Sequence, residues 1–580
     1  MKNIYHYFRN KIAETCSEAL EIDLNELLLS SFILEKPKNE ENGDLSTNIA
    51  LVLSKQTNQK PIELAEKIKD KLGHLEEFKS IEIAKPGFIN FKLHHYVWIF
   101  FLEELSKSKN LISCNIGEGK KVNVEYVSAN PTGPLHVGHC RGAVFGDVLS
   151  SLLETTGFKV TREYYVNDAG SQINQLARSV IIRYTELFEG NLKSYPDDFY
   201  PGEYLIPVAN LLKEKFQDTL LKKEENDYLE EIKSITVEIM LSQIKDDLNK
   251  LNIHQDIFVS ESDLVSKGKI DEAIDQLKSS DLIYYGVLEQ PKGKIVDEWE
   301  PREQMLFRSS LFGDEVDRPL QKSNGEWTYF ANDIAYHFDK YNRGSEYLID
   351  ILGADHGGYV KRMNAAVKAL TSGKAKFSAK LCQMVRLISD GKQLKMSKRS
   401  GDFITLDEMV DKVGADSIRF MMMYRKNEAP LEFDFDKVSE QSKDNPVFYV
   451  QYAYARISSV LRKMSESKLN FNLNNFEKCN FNLLTNDHEI ELIKKNLDWN
   501  SVIETSASLF EPHRIAYYLY ELSGIFHSLW NQGKIDPKLR FIEIEDADLS
   551  YARIGLIHST QRTLKSGLDL LGVSSPNEMQ

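Results

Sequence analysis

Two short runs of residues carry enough chemistry to frame the sequence. The first is His136-Val-Gly-His139, for which composition gives about 0.016 chance occurrences in a chain of 580 residues. Two imidazoles around a glycine can donate hydrogen bonds to phosphate oxygens, and do so best as charge builds in a transition state. Gly138 removes a side chain where a base or ribose could approach the backbone. The plainer alternative is two histidines satisfied at a helix N-terminus. The second run is Lys395-Met-Ser-Lys398-Arg399, on a loop between Gly391 and Gly401. Its two lysines, with short Ser397 between them, can bring two ammonium groups onto one triphosphate. Phosphoryl and adenylyl transfer draw most of their rate from positioning and charge neutralisation. Alone, such a loop reads as a solvated face. Paired with the histidines some 250 residues upstream, it points to nucleotide chemistry.

Three further side chains invite a ligand. Glu125 lies on an inner strand with no basic neighbour in sequence, and a buried carboxylate is costly without a partner. The competing reading is an ion pair with a distant Lys or Arg. Asp333 stands near a helix start and could be an ordinary capping acid. Tyr329 could be a core aromatic. Cys140, beside His139, has no visible base to activate it and reads as a packed residue.

The elements that would position these groups follow from patterning. Val122, Val124 and Tyr126 alternate as a strand, and Ser128 to Pro134 is turn-rich. A helix follows, with Val144, Val148, Leu149, Leu152 and Leu153 on one side, and Gly157 is placed to end it. Phe158 to Val166 resumes as a strand, completing a βαβ unit with the histidines at the loop–helix junction, where free N–H groups favour an anion. Sheet-like segments return at Trp327 to Phe330 and Tyr347 to Leu352. The latter ends in Gly353-Ala-Asp-His-Gly-Gly358, which sets Asp355 and His356 at the carboxyl end of a strand, where open α/β sheets collect ligands. Met384 to Ile388 leads into the lysine loop, and Thr405-Leu-Asp-Glu408 has capping-box spacing.

At this length several domains are expected. Residues 1–115 read as an α/β module, with helices at Ile4 to Ala19 and Pro61 to Leu72 and paired strands around Pro86-Gly87. Residues 116–390 read as a Rossmann-like domain carrying a charged helical insertion at about 195–300. Residues 391–444 hold the lysine loop and connecting helices, and 445–580 a helical bundle. Five scattered cysteines without C-x-x-C spacing argue against a disulfide framework and a structural zinc site. The net charge of −15 discourages non-specific nucleic-acid binding, so any such partner needs local basic patches. With neither a bilayer-length apolar run nor a secretory signal, a cytoplasmic enzyme is expected.

The paired histidine and lysine motifs resemble the signatures of class I aminoacyl-tRNA synthetases. The fuller VEYVSANPTGPLHVGH, with TYFANDIAYH (Thr328 to His337) and NPVFYVQYAYAR (Asn445 to Arg456), resembles the arginyl members. The resemblance spans nearly the whole chain. It implies an α/β fold: a class I Rossmann-like catalytic domain with a parallel sheet, an additional N-terminal α/β domain for the tRNA elbow, and a C-terminal all-α anticodon-binding bundle. It implies ATP-dependent ligation of L-arginine to tRNA(Arg) through arginyl-adenylate, Mg²⁺ accompanying ATP, no other metal, and a monomer that needs tRNA before activating arginine.

Carried over position by position, it implies that His136, Gly138 and His139 hold ATP, and that Lys395, Met396, Ser397 and Lys398 lie on its phosphates. His136, His139, Lys395 and Lys398 then form the catalytic set. Glu125, Ser128, Asn130, Tyr329 and Asp333 would bind arginine, whose planar fork of donors suits carboxylates and a flanking aromatic. Asp355 and His356 are candidate contacts to ribose or amino acid. Tyr449, Tyr452 and Tyr454 are core aromatics by pattern, and only the resemblance raises some of them as base contacts. One departure stands out. Many arginyl enzymes carry a lysine just before the histidine motif, whereas this chain has Gly133 and an intact lysine loop, which leaves the phosphate role to Lys395 and Lys398. The rivals are a cysteine or glutamate synthetase, a short nucleotidyltransferase of the same superfamily, and a non-enzymatic RNA-binding paralogue. They are disfavoured in turn by the absence of clustered Cys/His ligands, by an acidic pocket, by the extra modules, and by the intact motifs.

Overall fold

A computed structural model describes residues 3–23, 25, 32–190, 194–288, 302–394, 404–467, 469 and 479–579. Its centre is a five-stranded sheet: β1 (Lys121–Glu125), β2 (Lys159–Val166), β3 (Ile257–Ser260), β4 (Tyr347–Gly353) and β5 (Lys376–Cys382). All four pairings are parallel, in the order β5-β4-β1-β2-β3. Chain order reverses beside β1, so connections leave its two sides over opposite faces and open a crevice at the carboxyl ends.

Strand alternation divides β1 between those faces. Tyr126 packs toward helix α1 (Val137–Thr155), where a Cβ added to Gly146 would meet its ring at 2.2 Å. Glu125 points the other way, toward helix α2 (Tyr329–Asn342). The expected strand at Trp327 to Phe330 is not formed. Trp327 makes one bridge to Gln321, and the Thr328 hydroxyl accepts from the Ala331 N–H as the N-cap of α2. Local capping chemistry outweighs the β propensity of these aromatics there.

The region read as one helical insertion is also more varied. Leu205–Phe216 and Leu229–Lys250 are helices, but β3 is an edge strand of the central sheet. Further on, Ile283–Gly286 pairs with Gln304–Phe307 in a small antiparallel sheet. Four-residue strands are too short for period-2 patterning to stand out.

The N-terminal module is a four-stranded antiparallel sheet with helices Ile4–Leu20, Ile49–Thr57, Pro61–Leu72 and His95–Lys107. The C-terminal module is a bundle of Pro446–Glu466, Asp487–Leu497, Trp499–Leu509, His513–Ile535 and Ala547–Leu571. These two ends of the chain meet. The Tyr5 hydroxyl donates to Asp498 at 2.6 Å, Lys494 pairs with Asp44 at 2.5 Å, and the Ser113 N–H donates to the Asn500 side chain at 2.9 Å. Among the described residues no helix is long and apolar enough to cross a membrane.

Candidate active site

The histidines cap α1. The Gly138 N–H donates to His136 Nδ1 at 3.0 Å, the His136 N–H donates to His139 Nδ1 at 3.3 Å, and the two rings stack with centroids 4.0 Å apart. The plain capping role is therefore real, and it fixes both imidazoles at the positive end of a helix dipole. Gly138 has a reason nearer than a nucleotide: a Cβ there would meet the His136 ring at 2.7 Å. Cys140 is buried in α1 with its thiol pushed up to about 12 by burial, unfit to act as a nucleophile.

Two flanking segments clamp this junction. The Leu135 N–H donates to Asp247 Oδ2 at 3.0 Å, near the end of helix Leu229–Lys250. On the other side Thr405 forms a bridge with His136, and the Leu406 N–H donates to the Leu135 carbonyl at 2.8 Å. Thr405 is the N-cap of helix Leu406–Met423, with the capping box expected of it. Lys250 pairs with Asp407, joining the two clamps. Residues 395–403, and with them Lys395, Met396, Ser397 and Lys398, lie outside the described residues; Thr405, just after them in sequence, sits directly against His136. Arg141, on α1, strengthens the same junction by donating to the carbonyls of Gln383, Ala429 and Lys426 at 3.0, 2.7 and 2.6 Å.

Asp247→Ala would leave the buried Leu135 N–H without its acceptor, at a cost of about 1–3 kcal/mol. Thermal unfolding should show the loss, and the KM for a nucleotide held at the histidines should rise severalfold. An unchanged KM would contradict the clamp.

Gly133 has a steric cause. The Tyr204 hydroxyl donates to the Thr132 carbonyl at 2.7 Å, and a Cβ at Gly133 would meet the Tyr204 ring at 2.9 Å. A lysine at this position would displace the insertion from the loop.

On the opposite face of the sheet the acids gather. Glu125 is paired in register with Asp350 on β4 and with Glu163 on β2, so three carboxylates form one row across three strands. Glu163 accepts from Arg343 through both oxygens, at 2.7 and 2.8 Å, and from the Asn123 amide at 2.7 Å. Asp350 accepts from His337 Nε2 at 2.9 Å and from Lys340 at 3.0 Å. Lys340 also donates to Glu125 Oε2 at 2.6 Å. Glu125 is thus both 8% exposed and ion-paired to a distant lysine, the alternative its sequence position left open.

Asp333 differs from the row. It lies one turn above His337 on α2, and among the described residues its carboxylate makes no hydrogen bond or ion pair. Burial pushes it up to about 7, with Glu125 and Asp350 adding to the rise and His337 and Arg362 opposing it. The rings of Tyr165 and Tyr336 stand 4.3 Å apart beside it, and the Tyr165 and Tyr359 hydroxyls feel the Asp333 and Glu125 charges. These acids and tyrosines together make the candidate recess, a setting suited to a delocalised cation.

The other expected residues sit at the rim. Ser128 has a left-handed backbone (φ 38°), and its hydroxyl accepts from the Tyr165 N–H at 3.1 Å. Asn130 is exposed and its amide donates to Gln172 at 2.9 Å. Tyr329 is 67% exposed at the mouth of α2, one turn before Asp333, with Lys322 over its ring at 5.3 Å. Asp355 and His356 form an exposed turn after β4, outside the acid row. Patterning overlooked His337, Lys340 and Asp350. The first two had a signal, since Asp333, His337 and Lys340 follow helical spacing and make a polar stripe on a face that must be buried.

Comparison with known proteins gives the family. The family model for the catalytic domain of class I (R) tRNA synthetases matches residues 102–438, that for the arginyl tRNA synthetase N-terminal domain matches 6–93, and that for the DALR anticodon binding domain matches 450–579. The arginine–tRNA ligase of Roseobacter denitrificans is 49% identical over 562 residues, covering 97% of this chain and 96% of the relative. That of Brucella anthropi is 48% identical over 587 residues, covering both chains in full. Two solved structures share the fold. Thermus thermophilus arginyl-tRNA synthetase has a TM-score of 0.73 at 21% identity, covering 99% of this chain and 100% of that one. The Plasmodium falciparum enzyme has a TM-score of 0.72 at 18% identity, covering both chains in full. With all three family models matched in order along a class I sheet, the chain belongs to the arginyl-tRNA synthetases.

Proposed function

We propose that this chain charges tRNA(Arg) in two steps, with the two faces of β1 dividing the work. In the first, the carboxylate of L-arginine attacks the α-phosphate of ATP; the O–P bond forms and pyrophosphate leaves. In the second, a hydroxyl of the 3′-terminal ribose attacks the arginyl carbonyl and AMP leaves. His136, Gly138 and His139 hold the nucleotide at the start of α1, and the imidazoles donate to phosphate oxygens as charge builds. Lys395 and Lys398, flanking Met396 and Ser397, neutralise the departing pyrophosphate, a role that the missing lysine at position 133 leaves to them. The docking of Thr405 and Leu406 against the histidines supports this placement.

Glu125 and Asp333 receive the guanidinium, Tyr329 covers it from the mouth, and Ser128 and Asn130 turn the amino-acid end toward the nucleotide. Asp355 and His356 take the ribose side. Among the described residues, the one cluster of three His or carboxylate donors close enough to share an ion is Glu125, His337 and Asp350, and it already holds the Lys340 ammonium. Mg²⁺ arriving with ATP would help neutralise the phosphate charge. The bundle matched over 450–579 reads the tRNA far from the chemistry.

The observation that carries the amino-acid assignment is Asp333, a partnerless carboxylate on the recess wall. Protonated, it offers a donor where a guanidinium also donates, so arginine binds only after the proton leaves. As pH falls below about 7, kcat/KM for arginine should drop toward tenfold per unit, while Asp333→Asn should be weak at every pH. A flat wild-type profile between pH 5.5 and 8, in which about 7 is the expected midpoint, would overturn the assignment. The reaction itself is tested by transfer of labelled arginine to tRNA with ATP present, and failure by a folded sample would overturn it.

A further inference from the structure

We propose that Lys340 is a positioning residue that fixes the Glu125 carboxylate and keeps it an acceptor for the incoming guanidinium. The inference rests on Glu125 reading arginine. Lys340 is 0% exposed, two turns below Asp333 on the face of α2 that covers the sheet. A lysine there is costly unless its charge is matched, and two carboxylates match it, at 2.6 and 3.0 Å.

The register explains the need. Glu125 and Asp350 are direct neighbours on adjacent parallel strands, with Glu163 beyond Glu125 in the same row. Glu163 has Arg343 and Asn123 for itself, and one oxygen of Asp350 has His337. For Glu125 the hydrogen-bonded cation is Lys340. Two buried carboxylates side by side do not both stay ionised without a cation between them; one takes a proton. On Glu125 that proton would set an O–H against a guanidinium N–H, donor against donor. Burial would raise Asp350, but Lys340 and His337 outweigh it and hold that carboxyl well below the usual range. Asp350 is therefore held ionised by the same ammonium that donates to Glu125. Lys340 also occupies Oε2 of Glu125, which leaves Oε1 to meet the guanidinium. Glu125, His337 and Asp350 offer donor atoms within 4.8 Å of one another, and the Lys340 ammonium meets the two carboxylates of that set.

The test is tRNA-supported ATP–pyrophosphate exchange by the full-length protein, with arginine and ATP varied separately, for wild type, Lys340→Met and Glu125→Gln. Lys340→Met should raise the KM for arginine about tenfold or more and leave that for ATP within about threefold, a split that general loss of structure would not give. An arginine KM that is unchanged or lowered overturns the proposal, as does an equal rise in both. If Lys340→Met does not fold, Lys340→Gln keeps a polar donor for the two carboxylates while removing the charge, and is judged by the same split. Glu125→Gln separates the two claims. If it leaves the arginine KM unchanged, the pocket reading and this inference fall together. If it raises the KM while Lys340→Met does not, this inference alone falls.

Discussion

Glu125→Gln is expected to lower kcat/KM for arginine by about 10²–10³-fold with little change in the KM for ATP. The substitution keeps the shape of the side chain and changes only its charge and one acceptor. A guanidinium N–H facing a carboxylate makes a hydrogen bond about twice as strong as one facing an amide, and Glu125 is buried enough to keep that difference. The amide also presents N–H groups of its own. Whichever way it turns, either Lys340 or the substrate meets a donor in place of an acceptor. ATP is insulated because the histidine helix lies on the other face of the sheet, where Tyr126, not Glu125, makes the contact. A variant that charges arginine normally would return Glu125 to a purely structural ion pair.

His136→Asn and His139→Asn carry the second large effect: a fall in kcat of about 10²–10³ each, with nucleotide KM within a few fold. Asparagine is the informative replacement because the histidines have two duties. At 136 it is itself a favoured N-cap residue, so α1 keeps its start and the melting temperature should hardly move. The imidazole is lost, and with it the donor aimed at a phosphate whose charge peaks in the transition state. His136→Ala would add a capping loss of about 1 kcal/mol to the same kinetic defect. Should His136→Asn lose less than about threefold in kcat, the histidines would be caps and no more.

How much of this was written in the chain depends on distance along it. The strand, loop and helix around His136 were legible because their causes are local: alternation in Val122 to Tyr126, an apolar stripe over Val144 to Leu153, and Gly157 after it. So was the helix start at Thr405. The acid row was not, because residues 125, 163 and 350 become neighbours only through strand register, which parallel pairing sets at long range. Lys340 was hidden for a different reason. A lysine in a helix is usually solvated, and only the deep burial of its carboxylate partners reverses that expectation. The edge strand Ile257–Ser260 was absorbed into a helical region because four residues carry little period. Trp327 to Phe330 misled because aromatic content suggested sheet where Thr328 capped a helix.

The central claim is that the recess beside Glu125 and Asp333 accepts arginine for adenylation at the histidine helix. Amino-acid-dependent ATP–pyrophosphate exchange across all twenty amino acids, with tRNA present and absent, tests it most directly. Arginine alone should support exchange, with tRNA required. Arginine exchange that ignored tRNA would remove only the expected tRNA dependence; comparable exchange with lysine, glutamate or any other amino acid would contradict the account.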